Sequence, residues 1–168
     1  AVTGRSIRLV VLDLDNTLWK GVIGEDGEVG VAVGDDYPGN LFQSFQKALK
    51  LLSQRGVALA LCSKNDESLA LTAIDRLPGM VLRSEDFAAH RINWEPKWRN
   101  VSAICQELSL GPEYVLFVDD NPVEREQMRY QLPEVKVLEL PEDPACYTET
   151  LLASPWIECL TLTPEDER

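Results

Sequence analysis

Histidine and paired cysteines are nearly missing from this chain of 168 residues. It holds one histidine, His90, and four cysteines, Cys62, Cys105, Cys146 and Cys159. No two cysteines stand as Cys-x-x-Cys, which argues against a structural zinc site. No apolar run approaches the ~18 residues of a membrane span. The opening AVTGRSIRLV shows no secretory signal, so the cysteines read as reduced thiols of a cytoplasmic protein. Ala1 at the start and the charged TPEDER at the end suit a processed protein or a piece of a longer one. Internal repeats and low-complexity linkers are absent. Basic residues are scarce: 16 Lys and Arg face 28 Asp and Glu, for a net charge of −12. Nucleic acid and anionic membranes are therefore disfavoured as partners, because phosphates need Lys and Arg.

What is present is an ordinary globular composition, 45% hydrophobic and 26% charged. The length predicts one domain spanning 1–168, with a core large enough to need no disulfide. Acids concentrate in 13–36 and in 134–168. The first cluster sits among apolar residues and calls for a compensating cation. The second reads as a solvated acidic C-terminal segment from 141 onward.

Short apolar runs alternate with helical stripes. IRLVVLDLD (7–15), VALALCS (57–63), MVLR (80–83), YVLFVDD (114–120) and VKVLEL (135–140) read as five strands. Between them lie helices over 40–55, 66–77, 97–108 and 123–132. Asn40 is the expected N-cap of the first. Pro96 is expected in the first turn of the third, and Asn65 as cap of the second. This alternation predicts an α/β fold with a parallel sheet flanked by helices. Residues 20–39, rich in glycine, read as a small hairpin or flap, too short for a second domain.

Ligands of an open parallel sheet bind beyond the carboxyl ends of its strands. Asp13, Asp15 and Thr17 follow the first strand, and Ser63 ends the second. Asp119-Asp120 ends the fourth, and Lys97 begins a helix. Carboxylates drawn together there must either shift upward in pKa or take a cation, and an all-oxygen set favours Mg²⁺. Asp13 or Asp15 is the candidate nucleophile, with the other as acid and base. Thr17, Ser63, Lys64 and Lys97 are the candidates for holding a phosphoryl group, and Asp13, Asp119 and Asp120 for holding the metal. His90 and Arg91 read as a solvated loop, with a phosphate or carrier contact as the alternative. Trp19 and Trp94 are pocket walls or plain packing. Asn16 and Asn121 orient carboxylates or favour turns.

These positions resemble the four motifs of haloacid-dehalogenase-like (HAD) phosphohydrolases. The resemblance implies a three-layer, Rossmann-like fold, Asp13 as nucleophile and Asp15 as acid/base. It also implies Ser63 and Lys97 as phosphate ligands, and Mg²⁺ on Asp13, the Asp15 carbonyl and the Asp119-Asp120 pair. The strings VLDLDNTLWKGVIGEDG, LCSKNDE, LRSEDFAAHRINWEPKWRN and FVDDNPVEREQMR are similar to the FkbH-like branch. That likeness implies recruitment of a glyceryl unit from 1,3-bisphosphoglycerate, its dephosphorylation, and transfer to an acyl carrier protein thiol. It casts Cys62 as carrier of a glyceryl thioester. Adjacent strand residues face opposite ways, however, so a phosphate-facing Ser63 turns Cys62 toward the core. Two alternatives stay open: a plain Mg²⁺-dependent phosphatase, and a receiver-like phosphorylatable domain. The latter places its phosphoacceptor after the third strand, not the first.

Overall fold

The structure, a computed structural model, describes residues 6–158. A parallel sheet of five strands runs in the order β3-β2-β1-β4-β5. The strands are β1 (Leu9–Leu12), β2 (Ala58–Ser63), β3 (Ala89–Ile92), β4 (Val115–Val118) and β5 (Lys136–Val137). β1 lies at the centre, with Leu12 level with Leu61 of β2 and with Val118 of β4. Its residues are buried on both faces, which is why LVVL has no polar alternation.

The helices are α1 (Ile23–Gly30), α2 (Gly39–Gln54), α3 (Glu67–Arg76), α4 (Lys97–Leu108), α5 (Pro122–Gln131), α6 (Tyr147–Ala153) and α7 (Pro155–Glu158). The pleat divides the core in two. Val10, Leu12, Leu59 and Leu61 pack against Phe45 and Leu49 of α2 on one face. Leu9, Val11, Ala60 and Cys62 pack against Val101 and Ile104 of α4 on the other. Each fully buried Leu, Ile or Phe side chain contributes roughly 1.5–3 kcal/mol, so both layers are needed.

Several expectations are corrected. MVLR (80–83) is not a strand, although Met80 and Leu82 are buried. Gln46 Oε1 accepts from Val81 N and Leu82 N at 2.9 and 3.0 Å, so a side chain takes the donors a ladder would use. The third strand is Ala89–Ile92, and it includes His90 and Arg91. As an edge strand it tolerates polar residues, which pair with Glu67 and Glu107. Asn40 does not cap α2; it lies within the first turn, after Pro38, and its buried Oδ1 is unpaired. Pro96 is itself the N-cap of α4. Asp66, not Asn65, caps α3 by accepting from Leu69 N.

The flap is helical instead of a hairpin. A bridge between Lys20 and Ala32 closes it, and α1 within is kinked at Gly27. Gly79 lets its base pack closely: a Cβ there would stand 2.0 Å from Val33 O. No large cap domain covers the sheet among the described residues. The segment after 141 is also not all solvated tail. Tyr147, Leu151 and Ile157 are buried in the core, and the Tyr147 ring meets Phe42 and Phe45 edge-on. Cys159 lies outside the described residues.

Candidate active site

β1 runs into the site. Asp13 N donates to Val118 O at 3.0 Å, which fixes Asp13 beside the end of β4. Asp119, wholly buried, and Asp120 follow β4 directly. Lys97, first residue of α4, reaches both strands: Nζ lies 3.0 Å from Asp13 Oδ1 and 2.6 Å from Asp119 Oδ2. Thr17 Oγ1 stands 3.2 Å from Asp120 Oδ1 and 3.5 Å from Asp13 Oδ2, and accepts from Asp120 N at 3.2 Å. Thr17 thus ties the loop after β1 to the loop after β4.

Asp15 is held by three donors. Trp19 Nε1 and Ile23 N reach Oδ1 and Asn65 Nδ2 reaches Oδ2, each at 2.9 Å. Asn65 also donates to Ser63 Oγ at 3.1 Å. Asn16 sits in the left-handed region (φ 59°), which asparagine tolerates. Its Oδ1 accepts from Gly21 N, whose own φ of 103° suits only glycine. Tyr147 Oη donates to Asn16 O at 2.9 Å, so α6 braces this loop.

These residues open on a cavity of about 220 Å³. Asp13, Asp15, Lys64, Lys97, Asp119 and Asp120 line it, with Asn16, Asn121 and Glu124. Ser63 and Thr17 stand behind that wall. Cys62 does not join them. It is fully buried on the α4 face, its Sγ 3.7 Å from Lys97 O, and burial pushes its thiol up to about 12. Trp19 is core and Trp94 is 72% exposed.

Asp13, Asp119 and Asp120 each offer an oxygen within a cluster no wider than 4.8 Å. Burial, then the charge of Asp13, pushes Asp119 up to about 8 against the pull of Lys97. Burial and Asp13 likewise push Asp120 up to about 7. For Lys97, burial alone would lower the pKa, but Asp13 and Asp119 outweigh it and hold the ammonium charged. Three crowded carboxylates against one lysine form a site short of positive charge. An all-oxygen donor set of this kind fits a hard divalent cation such as Mg²⁺.

The sequence reading missed four residues here. Asn65 holds Asp15, Tyr147 braces Asn16, and Glu124 lines the cavity. Arg125 Nη1 donates to the carbonyls of Asp119 and Asp120, at 3.0 and 3.1 Å. Glu124 and Arg125 carried a signal, since both fall in the first turns of a helix that starts after Asp119-Asp120. Tyr147 carried none.

No protein-family model and no curated protein matches the chain. Among solved structures, it is similar to the N-terminal part of a Bacteroides fragilis protein containing a phosphatase domain, complexed with Mg. Identity is 41% and the TM-score 0.91, over 96% of this chain but 43% of that one. The chain thus spans less than half of that relative. It is also similar in fold to a haloacid dehalogenase-like hydrolase from Xanthomonas campestris (14% identity, TM-score 0.59, 94% and 95% of the two chains). A cobalt-bound deoxy-D-mannose-octulosonate 8-phosphate phosphatase from Haemophilus influenzae shares 15% identity, with a TM-score of 0.57 over 88% and 85%. The fold is the HAD-like α/β fold without a large cap, and the structural neighbours are HAD-superfamily phosphatases.

Proposed function

We propose that this protein is a Mg²⁺-dependent phosphohydrolase that works through Asp13. The observation that carries this reading is Asp13 sharing one cavity with Asp15, Lys97, Asp119 and Asp120. Asp13, Asp119 and Asp120 would hold Mg²⁺, which supplies Lewis-acid neutralisation of phosphoryl charge. Asp13 attacks phosphorus through a carboxylate oxygen, and the ester P–O bond breaks. Asp15 gives its proton to the departing alkoxide. Water then attacks the aspartyl phosphate, Asp15 takes its proton, and inorganic phosphate leaves. Lys97 fixes the Asp13 carboxylate and Lys64 supports the phosphoryl oxygens, while Ser63 and Thr17, behind the wall, hold Asn65 and Asp120 in place. The Mg-bound phosphatase domain at 41% identity supports the reading.

The finer proposal rests on the FkbH-like strings. In it, the phosphate belongs to a glyceryl unit recruited from 1,3-bisphosphoglycerate, and that unit passes to an acyl carrier protein. The short flap leaves the mouth open, which favours a substrate on a phosphopantetheine arm. The burial of Cys62 favours direct attack of the carrier thiol on the acyl phosphate over a thioester on this chain. Free thiols at Cys62, Cys105 and Cys146 fit the cytoplasm. The described helices include none long and apolar enough to cross a membrane. Incubation with 1,3-bisphosphoglycerate, Mg²⁺ and carrier protein, read by intact mass, tests both levels. Phosphate release without carrier loading leaves the plain phosphatase. A phospho-Asp13 lasting minutes without turnover overturns both in favour of a receiver-like switch.

A further inference from the structure

Lys97 is not free to meet an incoming anion, because Asp13 and Asp119 engage it at 3.0 and 2.6 Å. The other ammonium on the cavity wall is Lys64, just after β2. Its Nζ lies 3.2 Å from Glu124 Oε2, with the lysine side chain 40% exposed and the glutamate 15%. Glu124 is the third residue of α5, where a helix N-terminus favours an acid. Five carboxylates and two ammoniums therefore face the cavity. Asp13, Asp119 and Asp120 form the cation cluster, and Asp15 is held by Trp19, Ile23 and Asn65. Glu124 stands apart from both groups and faces Lys64.

We propose that Lys64 and Glu124 form an exchangeable pair at the mouth. Lys64 leaves Glu124 for a phosphoryl oxygen as substrate binds, and returns to Glu124 as phosphate departs. The inference rests on the phosphohydrolase reading and adds a positioning residue to it. A part-exposed ion pair is weak, so a dianion competes for the lysine successfully. Glu124 repels the same dianion, and so weakens the hold on substrate and product alike. Its benefit is release: the departing phosphate leaves Lys64 a waiting partner. No bond is made or broken in this exchange.

The test is the Kd of inorganic phosphate for the Mg²⁺-loaded full chain, by calorimetry. Glu124→Gln keeps size and removes charge. Its phosphate Kd should fall about two- to fivefold, and the KM for p-nitrophenyl phosphate should fall with it. Glu124→Asp keeps the charge and should bind like wild type, whereas Lys64→Ala should bind more weakly. A gain in affinity is not what a damaged fold produces. Unchanged or weaker binding by Glu124→Gln overturns the pair, as does unchanged binding by Lys64→Ala. Phosphate that binds no variant, wild type included, overturns it too. Hydrolysis is scored separately: a wild type that binds phosphate but cleaves no phosphoester sinks the phosphohydrolase reading, and the Kd series still decides the pair.

Discussion

Asn65 reaches from the end of β2 to Asp15, its Nδ2 2.9 Å from Oδ2, and the same amide donates to Ser63 Oγ. In the proposed mechanism Asp15 gives and takes a proton, and a carboxylate in that role needs a fixed orientation. Asn65→Ala is expected to lower kcat about tenfold, by analogy with the loss of partners that orient reactive groups. Steady-state kinetics at saturating Mg²⁺ checks this, and an unchanged kcat refutes the orienting role.

Asp13→Asn keeps the shape of the side chain and removes the charge that attacks phosphorus in the proposed mechanism. Turnover of a small phosphoester is expected to fall by about three orders of magnitude or more, with the circular dichroism spectrum unchanged. Activity within tenfold of wild type would exclude Asp13 as nucleophile.

If Asp119 and Asp120 hold Mg²⁺ as proposed, protons compete with the metal there. Their folded pKa values, about 8 and about 7, lie above those of an unfolded carboxylate. The metal-free fold therefore holds protons that the unfolded chain has lost, and its stability falls as pH rises from the ordinary carboxylate range through pH 8. Bound Mg²⁺ removes that loss. The rise in Tm on adding Mg²⁺ should be larger at pH 8 than at pH 6. Equal shifts, measured by differential scanning fluorimetry, would place the cation elsewhere.

Cys62 should resist alkylation in the native protein at pH 8, because it is fully buried with its thiol held near 12. Peptide mass spectrometry after iodoacetamide reads this directly. Cys62→Ala should retain phosphoester hydrolysis and lose about 1 kcal/mol or more of stability from the small cavity left behind. Rapid native labelling would restore Cys62 as a candidate nucleophile.

Tyr147→Phe removes the hydrogen bond to Asn16 O while leaving the ring between Phe42 and Phe45. A stability loss of about 1 kcal/mol is expected, read by urea unfolding. An unchanged midpoint would show that the ring alone anchors α6.

The positions of Asp13, Lys97 and Asp119 were legible because each falls where a strand ends or a helix begins, and topology does the rest. Sequence reasoning failed where side chains replace backbone partners. Met80 and Leu82 are as buried as strand residues, yet Gln46, far earlier in the chain, accepts from the amides of Val81 and Leu82. β3 escaped notice because an edge strand needs little apolar character, and His90 and Arg91 looked solvated. Asn65 precedes a helix that the sequence starts at Asp66, one residue too early, so the cap falls on Asn65 instead of Asp66. Tyr147 sits among acids and looked like tail, since no local pattern reveals a contact 131 residues away.

That separation bears on synthesis. Asp13 and Asp15 are among the earliest described residues to leave the ribosome, but the loop carrying them acquires its brace only when Tyr147 emerges. Thr17 must likewise wait for Asp120, 103 residues later. A nascent chain halted before α6 would present its acidic loop without its support, and at about 5–20 residues per second, roughly 7 to 26 seconds separate the emergence of Asn16 from that of Tyr147. Assembly of the proposed site is thus timed to the near-completion of the described fold.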